Sequence, residues 1–216
     1  MHFIILISLM LSMPDYTVDS LYAHTNHYDI ICEYIDFQCD SLSLVEEHIK
    51  KASQNIYDQN MDFLEESGQF AKESGMKYFT EFRIKDILQN KNTVSILGYL
   101  ESYTGGAHGI HNYETFNYDI ISGSTIHLKD IIDYNALERI SQYCREGIAE
   151  EKSERYEDYE GLKNDDFLLS GTEAKWANFN EFIIKEDSIM FIFDEYTVAP
   201  YYMGDFRITV PQSIYR

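Results

Sequence analysis

Apolar and polar side chains alternate through residues 28–37, YDIICEYIDF, and that period of two predicts a strand. The period then changes. Leu42, Val45, Ile49, Ala52, Ile56 and Phe63 recur at helical steps, and Ser43 and Glu46 stand at capping-box spacing, so an amphipathic helix is predicted from Ser43 to about Glu66. Residues 77–88 and 93–103 alternate on either side of QNKN and read as an antiparallel hairpin. YETFNYDI, from Tyr113, alternates again with Phe116, Tyr118 and Ile120 on one face, and the turn Ser122-Gly-Ser leads into TIHL, giving a four-stranded meander.

Leu137, Ile140, Tyr143, Cys144 and Ile148 then return at helical spacing, so residues 134–149 form a second helix. Residues 150–166 carry eight acids and three bases with few apolar side chains, the pattern of a solvated helix end or loop. Strands resume at 179–185, 188–196 and 206–211, with a turn at Glu186-Asp187. Strands, helix, strands, helix, strands is an α+β order without βαβ alternation or internal repeat: an antiparallel sheet, meander plus C-terminal strands, covered by two main helices.

Composition sharpens this picture in two ways. A hydrophobic fraction of 44% over 216 residues, with 18 Tyr and 13 Phe against 3 Pro, is ample for a packed, sheet-rich core. The 37 acidic and 17 basic residues give a formal net charge of −20, a field that repels nucleic acid and attracts cationic partners. FIILISLMLSM at 3–13 has the length of a signal-peptide core and is too short to span a bilayer, although no Lys or Arg precedes Lys50. With Leu21-Tyr22-Ala23 as a candidate cleavage site, residues 1–23 are expected to be a signal peptide or N-terminal anchor and residues 24–216 one exported α+β domain. Three cysteines leave at least one thiol unpaired, and a Cys32–Cys39 bond would need a turn near Asp36.

Candidate chemistry centres on SYTGGAHGIHNYETF. Gly105, Gly106 and Gly109 can adopt conformations closed to other residues, so this loop can turn sharply and hold His108 at its tip. His108 and His111 lie three apart, pointing to opposite faces of a strand, with no acid or Cys at motif spacing to complete a metal site. Gly-x-Ser-x-Gly and the phosphate-binding glycine motifs are missing, and no cofactor is expected.

Tyr103-Thr-Gly-Gly-Ala-His-Gly109, followed by Asn117-Tyr-Asp-Ile, Ser122-Gly-Ser and Ile126-His-Leu-Lys-Asp-Ile131, resembles the GGAHG motif of a domain of unknown function in bacterial envelope proteins. That domain is found in RsiV-type anti-sigma factor ectodomains and PdaC-type peptidoglycan deacetylases. Phe193-Asp-Glu-Tyr196-Thr-Val-Ala-Pro-Tyr201-Tyr202-Met-Gly204 resembles the family's second signature. The front departs from the pattern, with Tyr34-Ile35 and His48-Ile49 where the family usually has Tyr-Pro and Ile-Asn. The resemblance implies an exported, non-catalytic binding domain recognising lysozyme or peptidoglycan; an envelope hydrolase acting on a glycan is the alternative. Expected contact residues are Gly105, Gly106, His108 and Gly109 with Tyr196, Tyr201 and Tyr202, the two segments meeting in space.

Overall fold

The structure, a computed structural model, describes residues 15–156 and 165–216. Strand β1 (Tyr16–His24) is followed by β2 (Tyr28–Phe37), which forms where the alternation places it, and a short 3-10 turn at Asp40–Leu42 leads into helix α1 (Ser43–Ser74). β3 (Tyr78–Gln89) pairs parallel with β2, so β2, α1 and β3 form a βαβ unit that the order of elements did not predict. A 32-residue helix is a crossover long enough to return the chain to the same end of the sheet. β4 (Thr93–Tyr103) and β5 (Ile110–Asp119) add antiparallel as the hairpin pattern requires, and β1 pairs antiparallel with β2. The sheet order is β1-β2-β3-β4-β5.

Helix α1 runs past Glu66 to Ser74 and ends at Gly75, whose φ of 69° supplies the left-handed cap. Its inward seam is Val45, Ile49, Ser53, Leu64 and Ala71, all buried, whereas Phe63 is 48% exposed. Over so long a helix a seven-residue repeat drifts away from the 3.6 period, which moves the seam from Phe63 to Leu64. The capping box is absent too. The 3-10 turn feeds straight into α1, and the Glu46 carboxylate instead accepts from the Phe37 N–H at 3.1 Å.

TIHL does not become a fourth meander strand. After a single bridge between Tyr118 and Thr125 the chain enters a short helix, α2 (Leu128–Ile131). The outer edge of β5 is already occupied, because the carboxylates of Asp194 and Glu181 accept the N–H groups of Tyr113 and Thr115 at 2.8 and 2.7 Å. After α3 (Tyr134–Tyr156) and α4 (Asp166–Gly171), the C-terminal strands β6 (Phe182–Ile184), β7 (Ser188–Phe193) and β8 (Phe206–Pro211) form a second, three-stranded antiparallel sheet rather than extending the first. Side chains of the first sheet replace the backbone partners that β6 lacks on its free edge. Asn117 donates to the Phe182 carbonyl at 2.8 Å, Asn90 donates to that of Ile184 at 2.9 Å, and the Ile184 N–H donates to Ser95 Oγ at 3.2 Å. Burying Ser95 and Asn117 is tolerated because they also bond each other, at 2.6 Å.

The layers therefore run α1, five-stranded sheet, three-stranded sheet, α3. Ile35, Val45, Ile49, Val94 and Ile96 fill the first interface, and Leu97, Tyr113, Ile183 and Ile192 fill the second. Leu137, Ile140, Cys144 and Ile148 of α3 pack on Phe179, Phe191, Phe193 and Phe206 in the third, with Tyr143 left at the surface. A last turn, α5 (Gln212–Tyr215), closes the chain. Within the acidic stretch 150–166 the first residues prolong α3, and 157–164 lie outside the described residues, as does the apolar run 3–13. Leu21, Tyr22 and Ala23 sit within β1 opposite Cys32, Ile31 and Ile30, so the outermost strand of the sheet crosses the expected 23/24 boundary. Cys32, Cys39 and Cys144 carry free thiols. Among the described residues no helix is long and apolar enough to cross a membrane.

Candidate functional site

The glycine loop leaves β4 at Tyr103 and turns at once. Gly105 and Gly106 have φ of 99° and 108°, values that cost an L-residue heavily, and the Tyr103 hydroxyl closes the turn on the Gly106 carbonyl at 3.0 Å. Gly109 serves differently: its φ is not positive, but a side chain there would lie 3.0 Å from the Ser102 carbonyl as the loop folds back. His108 is thereby held exposed at the tip, with Nδ1 2.8 Å from the Gly109 carbonyl oxygen.

The second segment starts where β7 ends. Asp194–Thr197 is a tight turn in which the Thr197 N–H donates to the Asp194 carbonyl at 3.1 Å and Tyr196 takes a φ of 65°. A strained tyrosine persists only where its surroundings hold it. Two contacts do so. The fully buried Lys152 of α3 donates to the Val198 carbonyl at 2.8 Å and to Asp165 at 3.1 Å, and the α4 residue Gly171 packs directly against the Thr197 carbonyl. Past Pro200 the chain makes a 3-10 turn at Tyr201–Met203, which Gly204 ends with a φ of 75°.

The two segments meet. The His108 ring stacks on Tyr201 with centroids 4.0 Å apart and planes at 20°, and Tyr196 stacks on Tyr201 at 5.6 Å and 29°. Tyr202, on the same 3-10 turn, is 68% exposed, and Tyr196 is exposed beside it. Of the seven expected contact residues, His108, Tyr196 and Tyr201 form this stack, Gly105, Gly106 and Gly109 shape the loop beneath it, and Tyr202 flanks it.

Below the stack lies a layer of paired charges that the sequence did not single out. His111 meets Glu195, Nε2 to Oε1, at 2.9 Å, while its ring leans on Tyr99 with centroids 5.3 Å apart. Arg207 lies 4.6 Å over the Tyr113 ring, donates to the Tyr113 hydroxyl at 2.5 Å and reaches Asp205 at 3.1 Å. Burial pushes the Glu195 carboxyl upward, against the opposing pull of His111. The same cause acts more strongly at the two carboxylates that cap β5. Burial, reinforced by the Glu114 and Asp194 charges and opposed by hydrogen bonds from Thr115, pushes Glu181 up to about 7. Burial and the Asp205 and Glu195 charges push Asp194 up to about 6, against the Tyr113 N–H and His111. Among the described residues no group of three or more His, Cys, Asp or Glu is arranged to hold a metal ion. The position of Asp194 and Glu195 directly after the apolar strand 188–193 could have signalled part of this layer, since an acid buried at a strand end is costly unless partnered. Nothing local marked Glu181, because its partner Thr115 is 66 residues away.

Comparison with known proteins follows this geometry. Residues 129–213 match the family described as Protein of unknown function (DUF3298), a span that holds the second segment and begins after the glycine loop. The chain is 35% identical over 127 residues to peptidoglycan-N-acetylmuramic acid deacetylase PdaC of Bacillus subtilis (strain 168), covering 57% of this chain. It spans about a quarter of that relative's length, 26%. A crystal structure of a DUF3298 family member from Bacteroides fragilis shares the fold with a TM-score of 0.66 at 20% identity, covering 94% of this chain and 92% of the other. A second, from Pseudomonas aeruginosa PAO1, gives 0.64 at 15% identity over 94% and 93%. Residues 129–213 thus match the DUF3298 family, and the chain is similar to part of the peptidoglycan deacetylase PdaC.

Proposed function

We propose that this chain is an extracytoplasmic binding domain of the bacterial cell envelope, without catalytic activity of its own, and that it holds peptidoglycan through the ring stack of His108, Tyr201 and Tyr196. The observation that carries the reading is the stack itself: two segments about ninety residues apart are folded, by glycine turns and a strained tyrosine, to present three rings at the surface. Rings so held lose little conformational freedom on binding and offer flat apolar surface beside polar groups, the usual make-up of a contact centre. The relative's action on peptidoglycan supplies the ligand class. A signal-peptide or anchor role for the apolar run 3–13 fits this location, and since cleavage after Ala23 would remove most of β1, the cut compatible with the sheet falls before Tyr16 rather than at the expected 23/24 boundary.

A second reading, a basic protein such as lysozyme, is favoured by the net charge of −20, which would steer such a partner. Co-sedimentation with purified peptidoglycan, beside calorimetry with an animal-type lysozyme at low and physiological salt, separates the two. Retention on peptidoglycan that is lost in Tyr201→Ala supports the proposal. Lysozyme binding that survives physiological salt while peptidoglycan retains nothing would replace it with the second reading, and lytic activity of the chain alone would refute a non-catalytic role.

A further inference from the structure

Pairing across the five-stranded sheet is in register along one row: Tyr22 stands opposite Ile31, Ile31 opposite Glu81, Glu81 opposite Glu101 and Glu101 opposite His111. All five point to the face that the second sheet covers at β4, β5 and the Leu88 end of β3, through Leu97, Tyr113 and Leu88. Over β1, β2 and the first half of β3 that face is open, and Tyr22 at its far end is 74% exposed. Three shallow depressions of about 380, 370 and 250 Å³ lie along it and share walls: Arg83 joins the first two, Asp29 the second and third, and Glu81 and Glu101 the first and third. They make one trough. Beyond its Tyr99 and Glu101 wall stands His111, opposite Glu101 and paired with Glu195, the residue before Tyr196, which places the foot of the ring stack one strand further on.

From this trough we infer that the open sheet face binds a glycan chain of about four sugars laid across the strands, from the ring stack to Tyr22. The inference rests on the peptidoglycan reading above and names the part of that polymer that is held and where it lies. Length follows from the fold, since five strands spaced about 4.8 Å apart span about 19 Å, and a β-1,4-linked sugar advances the chain by roughly one strand spacing. Charge selects the occupant. Asp29 is paired with Lys77 at 2.6 Å, Arg83 is shared by Glu33 and Glu81 at 2.8 and 3.0 Å, and Lys85 lies 4.9 Å over the Tyr99 ring. With Lys77 and Arg83 held by Asp29, Glu33 and Glu81, an anionic polymer would have to break an existing pair to reach either cation, whereas hydroxyl and acetamido groups can share the carboxylate and guanidinium positions already fixed there. Phe79 and Tyr22 stand beside those polar groups as flat surfaces for the C–H faces of sugar rings.

Calorimetry with N-acetylglucosamine oligomers of two, four and six units tests this. Affinity should rise from the dimer to the tetramer and level off at the hexamer. Tyr22→Ala should weaken the tetramer about tenfold and leave the dimer unchanged, while Tyr22→Phe, which keeps the ring, retains wild-type affinity. Tyr22 lies on an exposed edge strand, and an unchanged melting curve verifies that Tyr22→Ala is folded. Equal affinity for dimer and tetramer, or a Tyr22→Ala chain that binds tetramer as well as wild type, overturns the inference and leaves the ring-stack reading intact. Retention on intact peptidoglycan without binding of any oligomer overturns it as well. Loss of both would remove the peptidoglycan reading and the inference together.

Discussion

Glu181 is the residue whose replacement should raise stability. Its carboxylate sits in the joint between the two sheets, accepting from the Thr115 N–H at 2.7 Å and the Thr115 hydroxyl at 2.9 Å. Burial pushes its pKa from 4.5 up to about 7, so the folded chain holds the proton more tightly than the unfolded chain. The sign follows from linkage: the associated stability is fully present below about pH 4.5 and is lost as pH rises through about 7. At 1.36 kcal/mol per pKa unit the ceiling is about 3 kcal/mol, and solvent reaching a half-buried group reduces that to about 1–3 kcal/mol. Glu181→Gln keeps the accepting carbonyl and removes the ionisation. The variant should match wild type at pH 4.5 and exceed it by about 1–3 kcal/mol at pH 8, a rise in melting temperature of about 2–4 °C for each kcal/mol in a chain of this size. Thermal melts of both chains between pH 4.5 and 8 read this directly. Asp194, pushed up to about 6, steepens both curves, and less so in the Gln variant, where the Glu181 charge no longer opposes its ionisation, a difference of the same sign. Parallel curves across the range, or a Gln variant less stable at pH 8, would refute the argument from burial.

Four further substitutions test other joints. Gly171→Ala places a methyl group 2.1 Å from the Thr197 carbonyl oxygen, which should cost about 1–3 kcal/mol in urea unfolding and reduce retention on peptidoglycan by shifting the Tyr196 turn. Lys152→Met leaves the Val198 carbonyl and Asp165 without their buried donor, and a loss of about 1–3 kcal/mol should appear in the same assay. Asn117→Ala strips the Phe182 carbonyl and Ser95 of their partner and should lower stability by a similar 1–3 kcal/mol, approximately, with amide exchange accelerated first in β6. His108→Ala, at an exposed loop tip, should leave the melting temperature unchanged and weaken peptidoglycan binding about tenfold, measured by co-sedimentation.

What the sequence made legible is what local chemistry controls. Period and turn residues located β2, α1, the β3–β4 hairpin, β5 and α3, because each is read within a dozen or so residues. Glycines with positive φ and a cluster of tyrosines marked the two segments that meet in the ring stack. What depends on distant partners was not legible. The parallel pairing of β2 with β3 reflects where a 32-residue helix ends, which the helical pattern, lost after Phe63, did not show. The division into two sheets turns on Asp194 and Glu181 capping β5 and on Ser95 and Asn117 capping β6, four polar residues that look like solvent-facing positions in isolation. Lys152 is the sharpest case: in an acidic, charge-rich stretch it reads as solvated, yet it is fully buried because the Val198 carbonyl and Asp165 receive it.

The central claim is that the glycine loop and the 196–204 segment act together as one contact surface for peptidoglycan. Hydrogen–deuterium exchange of the chain with and without soluble peptidoglycan fragments tests it most directly. The account predicts slowed exchange in both 105–111 and 194–204 at the same fragment concentration, with both effects abolished in Tyr201→Ala. Protection confined to one of the two segments, or found only elsewhere in the chain, would contradict it.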